Sequence, residues 1–221
     1  MNDYLDLVIF DCDGVLVDSE VLAVEVDKRI LAELGWHLST AEIVDRFLGT
    51  SARSFQAQVE AHLGITMAPD WEERYRPWFV EAFEAELRAV PGIEDALDAI
   101  TVPTCVASSG SHEKIRTTLG LTGLLGRFEG RIHSSSEVAH GKPAPDIFLH
   151  AAARMGAAPE RAVVIEDSKY GVRAARAAGM RAFGYAGGLT PAAWLEQEGA
   201  IVFTDMAELP ALLRAHAPDP E

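Results

Sequence analysis

From residue 91 onward, short apolar segments alternate with segments of helical pattern, and this alternation limits the possible folds more than any other feature. Strands separated by single helices imply right-handed crossovers and a parallel sheet with helices on both faces. We therefore expect an α/β fold with a doubly wound parallel sheet, in which ligands bind beyond the carboxyl ends of the strands. The predicted strands are 102–107, 130–133, 162–166, 181–185 and 200–203, and the predicted helices are 93–100, 111–120, 145–155, 168–178, 190–198 and 205–215.

The residues before this region supply one more strand and a helical insertion. Residues 4–10 (YLDLVIF) form an apolar run that stops at an acidic, glycine-containing loop, which is typical of a buried strand. Pro77 is expected to kink or break the last helix of the insertion. Four helices are predicted in the insertion. The first ends at Gly35, and the second begins at the capping-box sequence Ser39-Thr40-Ala41-Glu42 and stops near Gly49. The third and fourth cover residues 51–63 and 70–88.

The order of these elements predicts a discontinuous domain organisation. Residues 1–17 and 90–221 are assigned to an α/β catalytic core, and residues 18–89 to an α-helical cap inserted after the first strand. Trp36, Trp71 and Trp78 are interpreted as core residues of the cap. The last five residues, APDPE, are expected to fray.

Charge and hydropathy exclude several classes of function. The 221 residues carry 34 acids against 19 Lys and Arg, a formal charge of −15 that repels polyanions, so no nucleic-acid partner is expected. No apolar run approaches the ~18–20 residues that span a bilayer, and the N-terminus lacks the features of a secretory signal. We expect a cytoplasmic protein without a membrane partner, acting as a monomer or small homo-oligomer.

Cysteine and histidine spacing suggests no zinc site. Cys12 and Cys105 match neither a disulfide framework nor a zinc-ligand spacing, and we expect both to be buried and reduced. Histidines 37, 62, 112, 133 and 140 show no ligand spacing either and are interpreted as incidental.

Chemistry-bearing residues concentrate in four short segments at predicted strand ends or before a helix. In a parallel sheet such segments meet at one edge. The segments are Asp11-Cys12-Asp13-Gly14, Ser108-Ser109-Gly110-Ser111, Gly141-Lys142-Pro143 and Glu166-Asp167-Ser168.

Together these segments supply the parts that phosphoryl transfer needs. Several carboxylates in a small volume repel one another, and Mg²⁺ with oxygen ligands relieves that repulsion. Lys142 adds a positive charge, and Ser108 with the backbone N–H groups of residues 109–111 forms an anion cradle at a helix N-terminus. One aspartate of the first segment can attack phosphorus while the other protonates the leaving oxygen. The carboxylates are those of Asp11, Asp13, Glu166 and Asp167.

The sequence from Asp11 to Ser19 (DCDGVLVDS), followed by Ser108, Lys142-Pro143 and Glu166-Asp167-Ser168, resembles the haloacid dehalogenase superfamily over essentially the whole chain. The helical insertion directly after the first strand resembles the subfamily with a small α-helical cap, which includes β-phosphoglucomutase and many sugar-phosphate phosphatases. The stretches DCDGVLVDSEV and CVASSGSHEK are similar to 6-phosphogluconate phosphatase-like members.

The resemblance implies a Mg²⁺-dependent phosphoric monoester hydrolase that acts on a small sugar or sugar-acid phosphate. Asp11 would be the nucleophile that forms an aspartyl-phosphate, and Asp13 the general acid and base. The implied metal ligands are Asp11, Asp13 (through its carbonyl), Asp167 and Glu166, the last directly or through water. The implied phosphate-binding residues are Ser108, Ser109, Gly110 and Lys142, and Arg53 is a candidate for binding an anionic substrate.

Several alternatives remain open. A phosphomutase would share the core residues, although Ala23 stands where those enzymes carry a cap histidine and the cap arginine is displaced to Arg53. A 2-haloacid dehalogenase would need no acid at Asp13. A non-catalytic phosphate-binding module would lack the large insertion. Three individual residues also have an alternative interpretation. In it, Ser108 and Ser168 each serve only as a helix cap, and Glu166 contacts the metal only indirectly.

Overall fold

The computed structural model describes residues 5–50 and 52–215. Tyr4, Ser51 and the tail APDPE, on which parts of the sequence predictions fall, lie outside the described residues. By internal contacts the chain divides into two compact units, Met1–Asp18 with Arg88–Glu221 and Ser19–Leu87.

The larger unit is built on a six-stranded sheet whose strands are all parallel, in the order β3-β2-β1-β4-β5-β6. The predicted doubly wound α/β fold is therefore confirmed. The order reverses between β1 and β4, which is where ligands bind in such sheets. The strands are β1 (Leu7–Phe10), β2 (Thr104–Ser108), β3 (Ile132–Ser134), β4 (Ala162–Glu166), β5 (Arg181–Tyr185) and β6 (Ile201–Phe203).

The two central strands are buried because each is a short, mainly apolar run between two layers of helices. All four residues of β1 and all five of β4 are buried, as expected for strands covered on both faces. A core cluster joins β1, β2 and β4 to the helices that follow β3 and β4, through Leu7, Cys105, Phe148, Val164 and Val172. The helices of this unit are α5 (Ile93–Ala99), α6 (His112–Leu121), α7 (Asp146–Met155), α8 (Lys169–Ala177), α9 (Ala192–Gln197) and α10 (Leu209–Ala215).

The smaller unit is entirely helical in its described part and corresponds to the predicted insertion. The predicted capping box at Ser39 is present, since Ser39 Oγ accepts from the amide of Glu42 and the Glu42 carboxylate accepts from Ser39 N at 2.8 Å. Its helices are α1 (Ser19–Glu33), α2 (Thr40–Phe47), α3 (Ala52–Leu63) and α4 (Trp71–Glu86).

Aromatic side chains form much of the packing inside this unit. Trp36 is buried and meets Phe47 edge-on, and Trp71 stacks on Phe55 with ring centroids 5.4 Å apart. Trp78 is half-buried beneath the guanidinium of Arg29, 3.7 Å from its ring centroid. The tryptophans thus contribute to internal packing, although only Trp36 is fully buried.

Pro77 does not end a helix, because α4 continues through it. The prediction of a break is wrong at this position. Proline removes the bond from its own nitrogen to the carbonyl of residue 73, but both Pro77 and Glu73 are exposed, so water can satisfy that carbonyl. Within the described residues, no helix is long and apolar enough to cross a membrane.

Candidate active site

The ends of β1 and β4 bring the predicted nucleophile next to two further carboxylates. Asp11 directly follows β1, Glu166 is the last residue of β4, and Asp167 follows it. The pairing of Phe10 with Ile165 and the bond from Asp11 N to Ile165 O at 2.9 Å fix the two strand ends side by side. All three carboxylates are buried.

Lys142 joins Asp11 to Glu166. Its Nζ donates to Asp11 Oδ1 at 2.7 Å and to Glu166 Oε1 at 2.6 Å, and its side chain is only 6% exposed. Burial alone would lower the pKa of Lys142, but the charges of Asp11 and Glu166 outweigh it and hold that pKa above its usual range. Lys142 therefore remains a cation at the β1–β4 edge, as its predicted contact with phosphoryl oxygens requires.

The pKa of Asp11 is raised to about 7, and burial is the largest cause of this shift. Lys142 opposes this shift, while the negative charges of Glu166 and Asp13 add to it. A second cation at the site would favour the ionised, nucleophilic form of Asp11. The site thus has an excess of buried negative charge that one lysine does not neutralise.

Glu166 has both carboxylate oxygens occupied by other groups of the protein. Oε1 accepts from Lys142, and Oε2 accepts from Ser168 N at 2.8 Å and from Ser168 Oγ at 2.9 Å. Ser168 also caps α8, as predicted, by accepting from Gly171 N at 3.0 Å. The glycine at 171 is needed because a Cβ there would overlap the Glu166 carboxylate.

Asp13 lies in a tight loop after β1. Gly14 takes a positive φ of 74°, and Leu16 N donates to Cys12 O at 2.9 Å. Within this loop Cys12 is buried, which raises the pKa of its thiol well above the usual value and keeps it protonated. Cys12 is therefore unsuited to act as a nucleophile beside the aspartates.

A lysine that the sequence patterns did not indicate holds Asp13. Lys114, in the first turn of α6, donates from Nζ to Asp13 Oδ2 at 2.8 Å. Burial lowers the pKa of Lys114, but the charge of Asp13 and this hydrogen bond raise that pKa by more than burial lowers it, so the net shift is upward. The only signal in the sequence was a lysine three residues after the Ser111 cap, which is too common a pattern to single out.

The predicted phosphate loop follows β2. Ser108 is 1% exposed, and its Oγ accepts from Gly110 N at 3.1 Å. The N-cap of α6 is Ser111, whose Oγ accepts from Lys114 N at 3.2 Å, so Ser108 is not the helix cap. Two serines at the end of β3 hold this loop in place: Ser134 Oγ donates to Gly110 O at 2.6 Å, and Ser135 Oγ donates to Ser109 O at 2.7 Å.

The buried carboxylates fit a hard divalent cation. One oxygen from each of Asp11, Glu166 and Asp167 lies within 4.8 Å of the others, and an all-oxygen donor set suits Mg²⁺. Lys142 already bonds to one oxygen of Asp11 and to one of Glu166, and Ser168 bonds to the other oxygen of Glu166, so an ion at this site would share these carboxylates with protein donors.

Arg53, the predicted substrate-binding residue of the insertion, lies near the start of α3 in the smaller unit and is exposed. Its role in substrate binding stays a prediction.

The comparisons with known proteins decide the family. The model of the haloacid dehalogenase-like hydrolases matches residues 5–179. The chain belongs to this family. Its curated relatives include 6-phosphogluconate phosphatase of Escherichia coli (strain K12), which is 31% identical over 216 residues that cover 97% of both chains.

Solved structures agree with this assignment. A conserved haloacid dehalogenase-like protein of unknown function from Agrobacterium tumefaciens str. C58 has a TM-score of 0.89 and 38% identity, over 97% of this chain and 100% of that one. A putative β-phosphoglucomutase from Thermotoga maritima has a TM-score of 0.78 and 28% identity, over 96% and 100%. The suspected superfamily and its β-phosphoglucomutase-like subfamily are therefore confirmed, as is the assignment of the chain to the phosphoric monoester hydrolases.

Proposed function

We propose that this haloacid dehalogenase-like hydrolase cleaves a small phosphorylated metabolite through an aspartyl-phosphate on Asp11, with Mg²⁺ as cofactor. The observation that carries the proposal is the position of Asp11. It lies at the β1–β4 switch point, within hydrogen-bond distance of a buried lysine and beside two more buried carboxylates. A buried carboxylate that faces a cation at a ligand-binding edge is suited to attack an electrophilic phosphorus.

In the first half of the reaction, an oxygen of Asp11 forms a bond to phosphorus while the bond from phosphorus to the ester oxygen breaks. Asp13 donates its proton to that leaving oxygen, so that an alcohol departs. Lys142 and the hydroxyl of Ser108, with the amides of the loop at Ser109 and Gly110, bind the phosphoryl oxygens on which negative charge is concentrated.

In the second half, Asp13 takes a proton from a water molecule, whose oxygen attacks phosphorus as the bond to Asp11 breaks. Inorganic phosphate leaves, and Asp11 and Asp13 return to their starting protonation states. Lys114 fixes Oδ2 of Asp13 through both halves. The same carboxyl group thus acts as an acid and then as a base.

The residues that would hold Mg²⁺ are Asp11, Asp13 through its backbone carbonyl, and Asp167, with Glu166 acting directly or through water. When bound, the ion neutralises charge that builds up on the phosphoryl group. The chain's own contribution is the buried cluster of oxygen donors, which has more negative charge than Lys142 can balance.

The substrate we propose is a sugar or sugar-acid phosphate. This is supported by the 31% identity with a 6-phosphogluconate phosphatase over nearly the full length of both chains. We further propose that residues 1–17 and 90–221 form the catalytic core, and that residues 18–89 act as a cap in which Arg53 contributes to substrate choice. A cytoplasmic location and a monomeric or small oligomeric state are part of the same hypothesis.

The test is turnover of an aryl phosphate with Mg²⁺, followed by a panel of phosphorylated sugars, sugar acids, polyols and nucleotides ranked by kcat/KM. Asp11→Asn is expected to abolish turnover without changing the thermal unfolding midpoint by more than a few degrees. Asp6→Asn is the matched control, since Asp6 is a more exposed acid of the same unit that pairs with Arg161 at 2.8 Å. Most of the activity remaining in Asp11→Asn would reject the nucleophile, and an isomerised phosphate ester in place of free phosphate would reject hydrolysis.

A further inference from the structure

Three side chains from separate elements of the larger unit form a second cluster that the proposed reaction does not use. His133 lies in β3, Glu137 ends the short 3-10 turn Ser135–Glu137, and His150 lies in α7. One ligand atom of each lies within 4.8 Å of the others. The cluster shares no residue with the Asp11 site, and its donors are nitrogens as well as oxygens.

The imidazoles of this cluster have buried nitrogens without partners. Nε2 of His133 and Nε2 of His150 are each buried and have no hydrogen-bond partner among the described residues. His133 is only 5% exposed, and the two rings meet edge to face with centroids 5.4 Å apart. Buried polar atoms are nearly always bonded to protein, water or an ion, so these two nitrogens call for a bound species.

The spacing of the donors suits a small tetrahedral ion. Zinc binds nitrogen and carboxylate oxygen at about 2.0–2.2 Å, so neighbouring ligand atoms of a tetrahedral site lie about 3.4 Å apart. His150 Nε2 is 3.5 Å from Glu137 Oε1. His112 Nε2, at the start of α6, is 3.1 Å from the other oxygen of this carboxylate, Glu137 Oε2.

Glu137 is also held in place by the backbone. Ser134 N donates to Glu137 Oε2 at 2.7 Å, as part of a capping box that fixes the carboxylate. Metal ligands are commonly oriented by such hydrogen bonds from neighbouring groups. The cluster therefore contains two imidazole nitrogens that make no hydrogen bond to the described residues and one oriented carboxylate.

We propose that His133, His150 and Glu137 bind a divalent transition-metal ion of the zinc class, and that water supplies the fourth ligand. Imidazole donors favour zinc and its transition-metal neighbours over Mg²⁺, which prefers oxygen. The site is thus chemically distinct from the carboxylate site at Asp11. The spacing of the histidines along the sequence did not reveal it, because the ligands come from three separate elements and are brought together only by the packing of β3, the turn Ser135–Glu137 and α7.

The first test is a Co²⁺ titration of the full chain in excess Mg²⁺, followed by visible absorption and then by displacement with Zn²⁺. Tetrahedral Co²⁺ absorbs far more strongly than the octahedral ion, so binding at an all-oxygen site contributes little to the signal. We expect one equivalent of intensely absorbing Co²⁺ for the unmodified chain. His150→Ala is expected to weaken binding at least tenfold, and His112→Ala to weaken it less. His140→Ala is the matched control, since His140 pairs with Asp146 at 3.1 Å elsewhere in the same unit.

Thermal unfolding gives a second readout that does not depend on colour. Zn²⁺ in excess Mg²⁺ is expected to raise the midpoint of the unmodified chain and of His140→Ala, and to leave His150→Ala unchanged, because an ion stabilises only the fold that binds it. Without zinc, His150→Ala is expected to unfold within a few degrees of the unmodified chain. Absence of the Co²⁺ bands, or equal binding by His150→Ala and the unmodified chain, would overturn the proposal and leave water as the partner of the imidazoles.

Discussion

Replacing Gly171 by alanine tests the arrangement of the catalytic residues without touching any of them. A Cβ at this position would lie closer than 3.0 Å to Oε1, Cδ and Oε2 of Glu166. The Glu166 side chain cannot move aside without a large energetic cost, because it is fully buried and bonded to Lys142 and Ser168. We therefore expect the substitution to push the carboxylate away from Lys142.

The magnitude follows from three contributions. Alanine in place of glycine inside a helix stabilises by about 1 kcal/mol. Overpacking costs about 1–3 kcal/mol, and weakening a hydrogen bond to a charged group costs about 1.5–3 kcal/mol. The net loss is about 1.5–5 kcal/mol, or roughly 3–20 °C in the unfolding midpoint of a chain of this size. Because Lys142 loses an orienting partner, kcat/KM should fall about 10–100-fold.

Gly120→Ala is the matched control. Gly120 is also helical, and a Cβ there would meet only Leu125 at 4.0 Å, so this variant gains the same helix propensity without the overlap. The assays are thermal unfolding and aryl phosphate hydrolysis with Mg²⁺. If Gly171→Ala matches Gly120→Ala in midpoint and kcat/KM, then Glu166 does not lie against α8 and the reasoning about Lys142 fails.

Two further predictions concern side chains that the sequence patterns did not single out. Lys114→Met should lower kcat about three- to tenfold on esters with poor leaving groups and little on aryl phosphates, because Asp13 loses the contact that fixes its Oδ2. Arg116→Met is the control, since Arg116 lies on the same helix but pairs with Glu129, and this variant should leave kcat unchanged. Equal losses of kcat in both variants would contradict the role of Lys114. Burial raises the pKa of Asp27 to about 7, so ionising it costs stability as the pH rises from about 4 to 7. Asp27→Asn should therefore be more stable than the unmodified chain at pH 8, by up to a few kcal/mol in the free energy of unfolding, and should show a higher unfolding midpoint. This difference in stability should shrink at pH 5. A difference that does not depend on pH would refute the raised pKa of Asp27.

The sheet could be predicted closely from the sequence because its strands are short apolar runs between polar turns. The strands 162–166 and 181–185 were predicted with the bounds that the structure has. Bounds shifted by one to three residues elsewhere, as at β1, which begins at Leu7 instead of residue 4, and at β2, which begins at Thr104 instead of 102. The start of a strand depends on backbone bonds to a neighbouring strand that is distant in the sequence, and local patterns do not record these bonds.

The candidate site also has a part that could be predicted from the sequence and a part that could not. Parallel strands meet at one edge, so the sequence placed Asp11, Glu166 and Asp167 together. It did not indicate the partners that orient them, because the contact of Lys114 with Asp13 and the fit of Gly171 against Glu166 depend on how α6 and α8 pack. Local patterns record hydrophobic faces and caps but not which side chains meet across elements.

The most direct test of the aspartyl-phosphate mechanism is the pre-steady-state release of 4-nitrophenolate by the Asp13→Ala variant with Mg²⁺. An aryl leaving group needs no proton, so attack by Asp11 stays fast, whereas hydrolysis of the aspartyl-phosphate lacks its base and becomes slow. We predict a burst of about one equivalent of 4-nitrophenolate per active enzyme, followed by a slow steady rate. The intact mass of the quenched protein should show one added phosphoryl group. The double variant with Asp11→Asn should show neither. Linear release from the first turnover by Asp13→Ala, or a burst that persists without Asp11, would contradict the account.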